Sequence, residues 1–298
     1  MKHTKIILAA DLSANSAFAA KWAQSYAQQF DAHVVLLHIV ELNVPNWLRD
    51  RYNVVEDAQK KAAMEQKLSQ WYATHTGGTP GEVMIQVGNV QDVLSQLPKE
   101  IGATMLVLAR SSKSSLTKFL AGSTAQMMAA TPPCVVTIVH PDHTSLGADT
   151  RIAVATDLTE SAETAVSASA ALASTLGARL DIIHAHSRAQ TAALAELGME
   201  DGAGVAALQT QSTELLDAVV ARHAAGLDGV DYHAHVLDDQ PVDAMETFVD
   251  EHNVDLSVVG NAASYNVLTN IFGRVSVKLT QVLSCTVMVV PPEGSTPA

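Results

Sequence analysis

Apolar residues follow two alternating rhythms along this chain. Short continuous runs, KIILAA from residue 5, VVLLHIV at 34–40, VMIQV at 83–87, MLVLA at 105–109 and VVTIV at 135–139, are separated by longer stretches with apolar positions three or four apart. Runs this short and this uniformly apolar predict strands buried on both faces. Phe18, Trp22 and Tyr26, with Ala19 and Ala23 beside them, predict a helix over 15–30. Further helices are expected over about 55–74, over 90–101 and from near Ser123, with Pro98 expected to kink or shorten the second of these. Strand and helix in strict alternation predict a parallel sheet covered on both faces. Ligands of such sheets bind beyond the C-terminal ends of the strands, where the strand order reverses. Asp11, Val40 and the loop 109–123 fall on that edge.

The same pattern then recurs. KIILAADLSANSA at 5–17 matches RIAVATDLTESAE at 151–163, placing Asp157 at 157 − 11 = 146 residues from Asp11. His38 and His184 keep that offset, but Ala109 and Gly260, Gly122 and Gly273, and Cys134 and Cys285 are 151 apart. Five residues are therefore added in the second copy, with the Gly198, Gly202 and Gly204 cluster at 187–205 as the expected place. A period near 150 indicates a duplicated domain rather than a solenoid. The expected domains are 1–140 and 151–291, joined by the polar linker PDHTSLGADT at 141–150 and followed by a flexible tail at 292–298.

Composition narrows the function classes. Of the 298 residues, 48% are hydrophobic but only 4% aromatic, so Ala, Val and Leu must build the cores. The formal net charge of −13 opposes binding to nucleic acid or anionic membranes. The N-terminal apolar run stops at Asp11, too early for a signal peptide, and no run approaches the roughly 20 apolar residues of a membrane span. A cytoplasmic protein without membrane insertion is expected. Cys134 and Cys285 each precede a Val-rich run and read as buried thiols rather than a redox pair. The histidine pairs His184/His186 and His233/His235 invite a metal, with Asp181, Asp231 and Asp238 near in sequence, but no recognised ligand spacing is present and no metal is expected. No hydrolase elbow, zincin motif or complete phosphate loop occurs, so no catalytic residue is assigned. VAALQTQSTELLDAVVARHAAGL at 205–227 reads as a helix covering the sheet, the alternative being a partner-binding helix.

LAADLSANS and VATDLTES after the first strand of each copy, a loop opening at Ala109 or Gly260 and closing at Gly122 or Gly273, and TPPCVVTIV and LSCTVMVV at the ends resemble universal stress protein domains along nearly the whole chain. The resemblance implies two tandem flavodoxin-like, adenine nucleotide alpha hydrolase-like domains, each a five-stranded parallel sheet with helices on both faces. It also implies pairing through the fifth strands into an internal pseudo-dimer, with a further homodimer of whole chains or another protein as additional partners. Its functional implication is a stress-linked role, with ATP and magnesium bound in one branch of the family.

Members of the family carry a Gly-x2-Gly-x9-Gly-Ser/Thr loop after the fourth strand. The three glycine positions here are Ala109, Ser112 and Gly122, then Ser123 and Thr124; in the second copy they are Gly260, Ala263 and Gly273, then Arg274. Glycine lets backbone N–H groups approach phosphate oxygens and reaches positive φ without cost. A Cβ in a left-handed conformation costs about 1–2 kcal/mol, about a tenfold loss of affinity. Ser111, Lys113, Ser114, Ser115 and Lys118 offer hydroxyls and charge in compensation, and Gly122-Ser123-Thr124 still opens a helix. Asp11 and Asp157, with backbone near Val40, are implied to face the adenosine; the alternative is that each only fixes its turn or caps a helix. Two functional readings stay open: a non-catalytic stress-response protein with degenerate nucleotide loops, or an ATP-binding sensor or slow ATPase using the first loop. A third is a partner protein binding through exposed sheet edges.

Overall fold

The computed structural model describes residues 5–41, 58–110, 122–186, 202–261 and 272–292. The chain divides into two compact units, Lys2–Leu146 and Gly147–Glu293. The first holds strands β1 (Lys5–Ala9), β2 (His33–Val40), β3 (Glu82–Val87), β4 (Met105–Ala109) and β5 (Val135–Val139), and helices α1 (Ala14–Phe30), α2 (Ala58–Thr76), α3 (Val90–Ile101) and α4 (Ser123–Ala130). All its strands are parallel, in the order β3-β2-β1-β4-β5. This is a doubly wound, flavodoxin-like α/β sheet of Rossmann type, and its order reverses between β1 and β4. Helix α1 packs with α2, and α3 with α4, giving the two covering layers.

The second unit repeats the plan. Strands β6 (Arg151–Ala155), β7 (Arg179–Ala185), β8 (Tyr232–Leu237), β9 (Leu256–Gly260) and β10 (Thr286–Val290) lie in the order β8-β7-β6-β9-β10. Its helices are α5 (Glu160–Leu176), α6 (Gly202–Arg222), α7 (Ala224–Leu227), α8 (Pro241–His252) and α9 (Phe272–Val282). Register locates the inserted residues more closely than the sequence does. Val35 pairs with Glu82 and its counterpart Asp181 with His233, so the offset has already risen from 181 − 35 = 146 to 233 − 82 = 151 by the third strand. The insertion therefore lies between β7 and β8, and 187–201 of that interval is outside the described residues.

Small residues let the helices sit close to the sheet. Ala17, Ala19, Ala20 and Ala23 are buried along α1, with Trp22, Tyr26 and Phe30 stacked at 5.3 and 4.4 Å between successive ring centroids. Phe18 is only half-buried, with Lys21 Nζ 5.8 Å from its ring centroid. Helix α3 continues through Pro98 to Ile101, where Gly102 takes the left-handed conformation and donates its N–H to the Pro98 carbonyl. Apolar stretch 205–227 is not one helix. It breaks at His223, with Leu216, Val219 and Leu227 turned inward and Leu215 48% exposed. Part of the polar segment 141–150 is fastened to α1, since Leu146 N–H donates to Ser25 Oγ at 2.9 Å. Cys134 and Cys285 are buried and in no disulfide, and burial raises the Cys134 pKa to about 12, so it stays protonated and inert. No helix among the described residues is long and apolar enough to cross a membrane.

Candidate functional site

In each unit the C-terminal ends of three neighbouring strands frame the reversal point. In the first, Asp11 follows β1, Val40 ends β2, and Ala109 ends β4. Neighbouring pairings, such as Leu8 with Leu36 and Leu8 with Val107, put these three ends side by side. Helix α4 begins beyond β4, with Gly122 as its N-cap and Ser123 and Thr124 in its first turn. Gly122, as the N-cap, brings no side chain to this helix start. Gly122 has φ −62°, a value open to any residue, so its glycine is not demanded by backbone conformation.

Asp11 is tied into its own turn. Its Oδ1 accepts the Ser13 N–H at 2.9 Å and the Ser16 hydroxyl at 2.6 Å, while Ser13 in turn caps α1 by accepting the Ser16 N–H. Partial burial would raise the Asp11 pKa, but the bonds from Ser13 and Ser16 outweigh it and hold the carboxyl below its usual range. Asp157 repeats the turn with different partners: its Oδ1 accepts the Thr159 N–H at 3.0 Å and the Thr159 hydroxyl at 2.5 Å. Between each Asp and its hydroxyl residue stands a leucine in the left-handed region, Leu12 at φ 62° and Leu158 at φ 63°. A leucine there is strained, and the short Asp-centred turn is what holds it. The Val40 carbonyl accepts the Gly88 N–H at 3.2 Å, so this backbone acceptor already serves β3.

A histidine braces each site from the second strand. Nδ1–H of His38 donates to the Ala10 carbonyl at 2.8 Å, and His184 makes the same bond to Thr156 at 3.0 Å. The shared position of these histidines is thus explained by the fold: each locks the residue before the turn Asp to the neighbouring strand.

Arg110 is a residue that the motif reading passed over. It directly follows β4, is 3% exposed, and its N–H bonds the Val139 carbonyl at 3.1 Å. Its charge and the burial of His140 both hold the His140 pKa down, to about 4, with burial the larger cause. A cation directly after an apolar strand, within the 109–123 stretch, was the visible signal. In the second unit Asn261 occupies the position, its N–H bonding the Val290 carbonyl at 2.8 Å.

Ser112 and Ala263, the middle glycine positions of the two loops, lie outside the described residues, as do Ser111, Lys113, Ser114, Ser115 and Lys118. Gly260 ends β9, and the backbone of Gly273 and Arg274 belongs to the first turn of α9; the Arg274 side chain is outside the description. Among the described residues no three His, Cys, Asp or Glu side chains converge as a metal site. His233 and His235 go to Asp231 and Asp181, at 4.0 and 2.8 Å.

The universal stress protein family model matches the chain twice, over residues 2–140 and 150–291. A universal stress protein from Archaeoglobus fulgidus DSM 4304 superposes with a TM-score of 0.72 at 19% identity, covering 98% of this chain and 99% of its own. A protein of unknown function from Pseudomonas aeruginosa PAO1 gives a TM-score of 0.64 at 15% identity, covering 99% and 94%. No protein with a curated description matches. Two consecutive matches that account for almost all of the sequence, on two copies of one doubly wound fold, establish that this chain belongs to the universal stress protein family as a tandem, two-domain member.

Proposed function

We propose that this chain is a non-catalytic stress-response or regulatory protein of the cytoplasm, and that both nucleotide loops have degenerated. One observation carries the reading. The two aspartates implied to face adenosine are each engaged by their own turns, Asp11 by Ser13 and Ser16 and Asp157 by Thr159, while the loop glycines around them have changed. An Asp kept for its turn survives the loss of a ligand; a glycine kept for phosphate does not. The test is calorimetric titration of ATP with magnesium into ligand-free protein, with phosphate release measured alongside. Neither binding heat at millimolar ATP nor turnover is expected.

A specific feature favours a second reading, an ATP-binding sensor or slow ATPase using the first domain. Buried Arg110 stands at the head of the loop and the N-cap of α4 is a glycine with no capping side chain, two features that suit a phosphate. Micromolar ATP binding that weakens at least tenfold in Arg110→Gln would establish that reading instead.

We also propose that the domains pair through their fifth strands. Within its own unit each of β5 (VVTIV) and β10 (TVMVV) is last in the strand order and largely apolar, an edge that proteins seldom leave open. Each half expressed alone is expected to dimerise or lose stability; strictly monomeric, fully stable halves would refute the pairing. The mass of the intact chain in solution then reports whether whole chains associate further.

A further inference from the structure

We propose that His184 and His186, at the C-terminal end of β7, form a divalent transition-metal site whose protein ligands are their two Nε2 atoms. The inference is independent of whether either domain holds a nucleotide. Both imidazoles are almost wholly buried, 3% and 2% exposed, and in both the Nε2 atom is buried without a hydrogen-bond partner. A buried polar atom left unpaired is costly, so two at one strand end call for an occupant.

The tautomers are set by what the other nitrogens meet. Nδ1 of His184 lies 3.0 Å from the Thr156 carbonyl, which can only accept, so the proton sits on Nδ1. Nδ1 of His186 lies 3.4 Å from Asp238 Oδ1, which favours the proton there too. Each ring therefore carries its free lone pair on Nε2. An oxygen holding Nδ1–H while Nε2 stays bare is the arrangement that orients histidine ligands on metals.

The directions also agree. Thr156 follows β6 and Asp238 follows β8, the two strands that flank β7. The nitrogens of an imidazole leave the ring in nearly opposite directions. Anchoring one ring toward β6 and the other toward β8 turns both Nε2 atoms back over β7. The ring centroids are 6.0 Å apart and the planes 69° from parallel, a separation that a shared ion about 2 Å from each nitrogen can bridge. The pair belongs to the second domain alone: His184 corresponds to His38, but His186 stands where the first copy has Val40.

Two imidazoles supply only part of a coordination shell, so water or a small anion completes it. Nitrogen ligation selects Cu²⁺, Ni²⁺ or Zn²⁺ over Mg²⁺ and Ca²⁺. The rival occupant is a single water donating to both nitrogens.

The experiment uses the untagged full chain, stripped with chelator and titrated by calorimetry with Zn²⁺, Ni²⁺ and Mg²⁺ at neutral pH. One saturable Zn²⁺ or Ni²⁺ equivalent, absent with Mg²⁺, is expected. His184→Gln and His186→Gln should each weaken it at least tenfold, while His33→Gln with His233→Gln, both exposed, should leave it unchanged. Because a buried histidine variant can misfold, two further readouts keep the proposal falsifiable. Asp238→Asn, at an exposed carboxylate, should weaken binding about tenfold. Cu²⁺ bound to the wild-type chain should show hyperfine coupling to imidazole nitrogen. No saturable binding, or binding unaltered in the folded His184→Gln, His186→Gln and Asp238→Asn variants, would overturn the site and leave water as its occupant.

Discussion

Replacing Asp181 by valine tests whether the duplicate can serve as an internal control for buried charge. Asp181 is 0% exposed in the middle of β7, where the first copy has Val35. Its Oδ2 accepts Arg151 Nε at 2.8 Å, Oδ1 lies 2.8 Å from His235 Nε2, and Arg179 stands 3.7 Å away. Removing one member of a buried ion pair costs about 3–5 kcal/mol, because the remaining charge is stranded. Arg151 keeps a bond to the His252 carbonyl at 3.0 Å and some exposure, so Asp181→Val should lie near the lower end, about 3 kcal/mol. The triple variant Asp181→Val, Arg151→Lys, His235→Met installs the first copy's Val35, Lys5 and Met84. It should recover to within about 1 kcal/mol of wild type, since valine and methionine remove the buried carboxylate and its ring partner, and a lysine at 151 can bond a carbonyl as Lys5 Nζ does with Ile101 in the first copy. Urea unfolding followed by far-UV circular dichroism measures both effects. All three tryptophans, Trp22, Trp47 and Trp71, lie in the first half, so fluorescence follows that domain separately.

The pH dependence of the same group has a definite sign. Burial would raise the Asp181 pKa, but the bonds from His235 and Arg151 and the charges of Arg151 and Arg179 bring it from 3.8 to about 2. The folded value is below the unfolded one, so its stabilisation is complete above about pH 4 and lost as pH falls through about 2. At roughly 1.4 kcal/mol per pKa unit this is about 2 kcal/mol, which Asp181→Val should abolish. A single variant as stable as wild type, or a triple variant less stable than the single, would refute the reasoning.

Other expectations follow from the remaining contacts. Ser16→Ala should cost about 1 kcal/mol by urea unfolding, and NMR titration should show the Asp11 pKa rising as its 2.6 Å bond is lost. The second copy has Ala162 at this position and relies on Thr159 instead, so Thr159→Val should be the damaging change there. His140 is neutral when folded, its pKa lowered from 6.5 to about 4; the unfolded chain protonates first, so stability should fall between pH 6.5 and 4 by about 3 kcal/mol. His140→Gln should flatten that part of the stability profile. Cys134 and Cys285 should resist a thiol reagent in the native protein and react fully in denaturant.

Much of the fold was legible because burial wrote it plainly. MLVLA and VVTIV became β4 and β5 to the residue, and the 90–101 periodicity became α3. Pro98 was less legible: the helix runs on past it to Ile101 before Gly102 ends it, although proline has no N–H to give the Leu94 carbonyl. The break at His223 left no apolar signature, as both sides of it keep helical spacing. At the site, the sequence placed Asp11, Val40 and Ala109 on one edge but was silent on how Asp11 is engaged. That depended on Ser16, five residues on, and on a left-handed leucine that no propensity favours. The bare nitrogens of His184 and His186 were hidden for a related reason: burial and partnership are properties of three dimensions, while a histidine's name alone suggests contact with water.

The central claim, that the nucleotide loops no longer work, is tested most directly by what the protein carries. The chain would be purified with no ligand added, denatured, and its supernatant examined for nucleotide by chromatography and mass. The account predicts none. A stoichiometric adenine nucleotide would contradict it, and would show that serine and lysine have replaced glycine without closing the site.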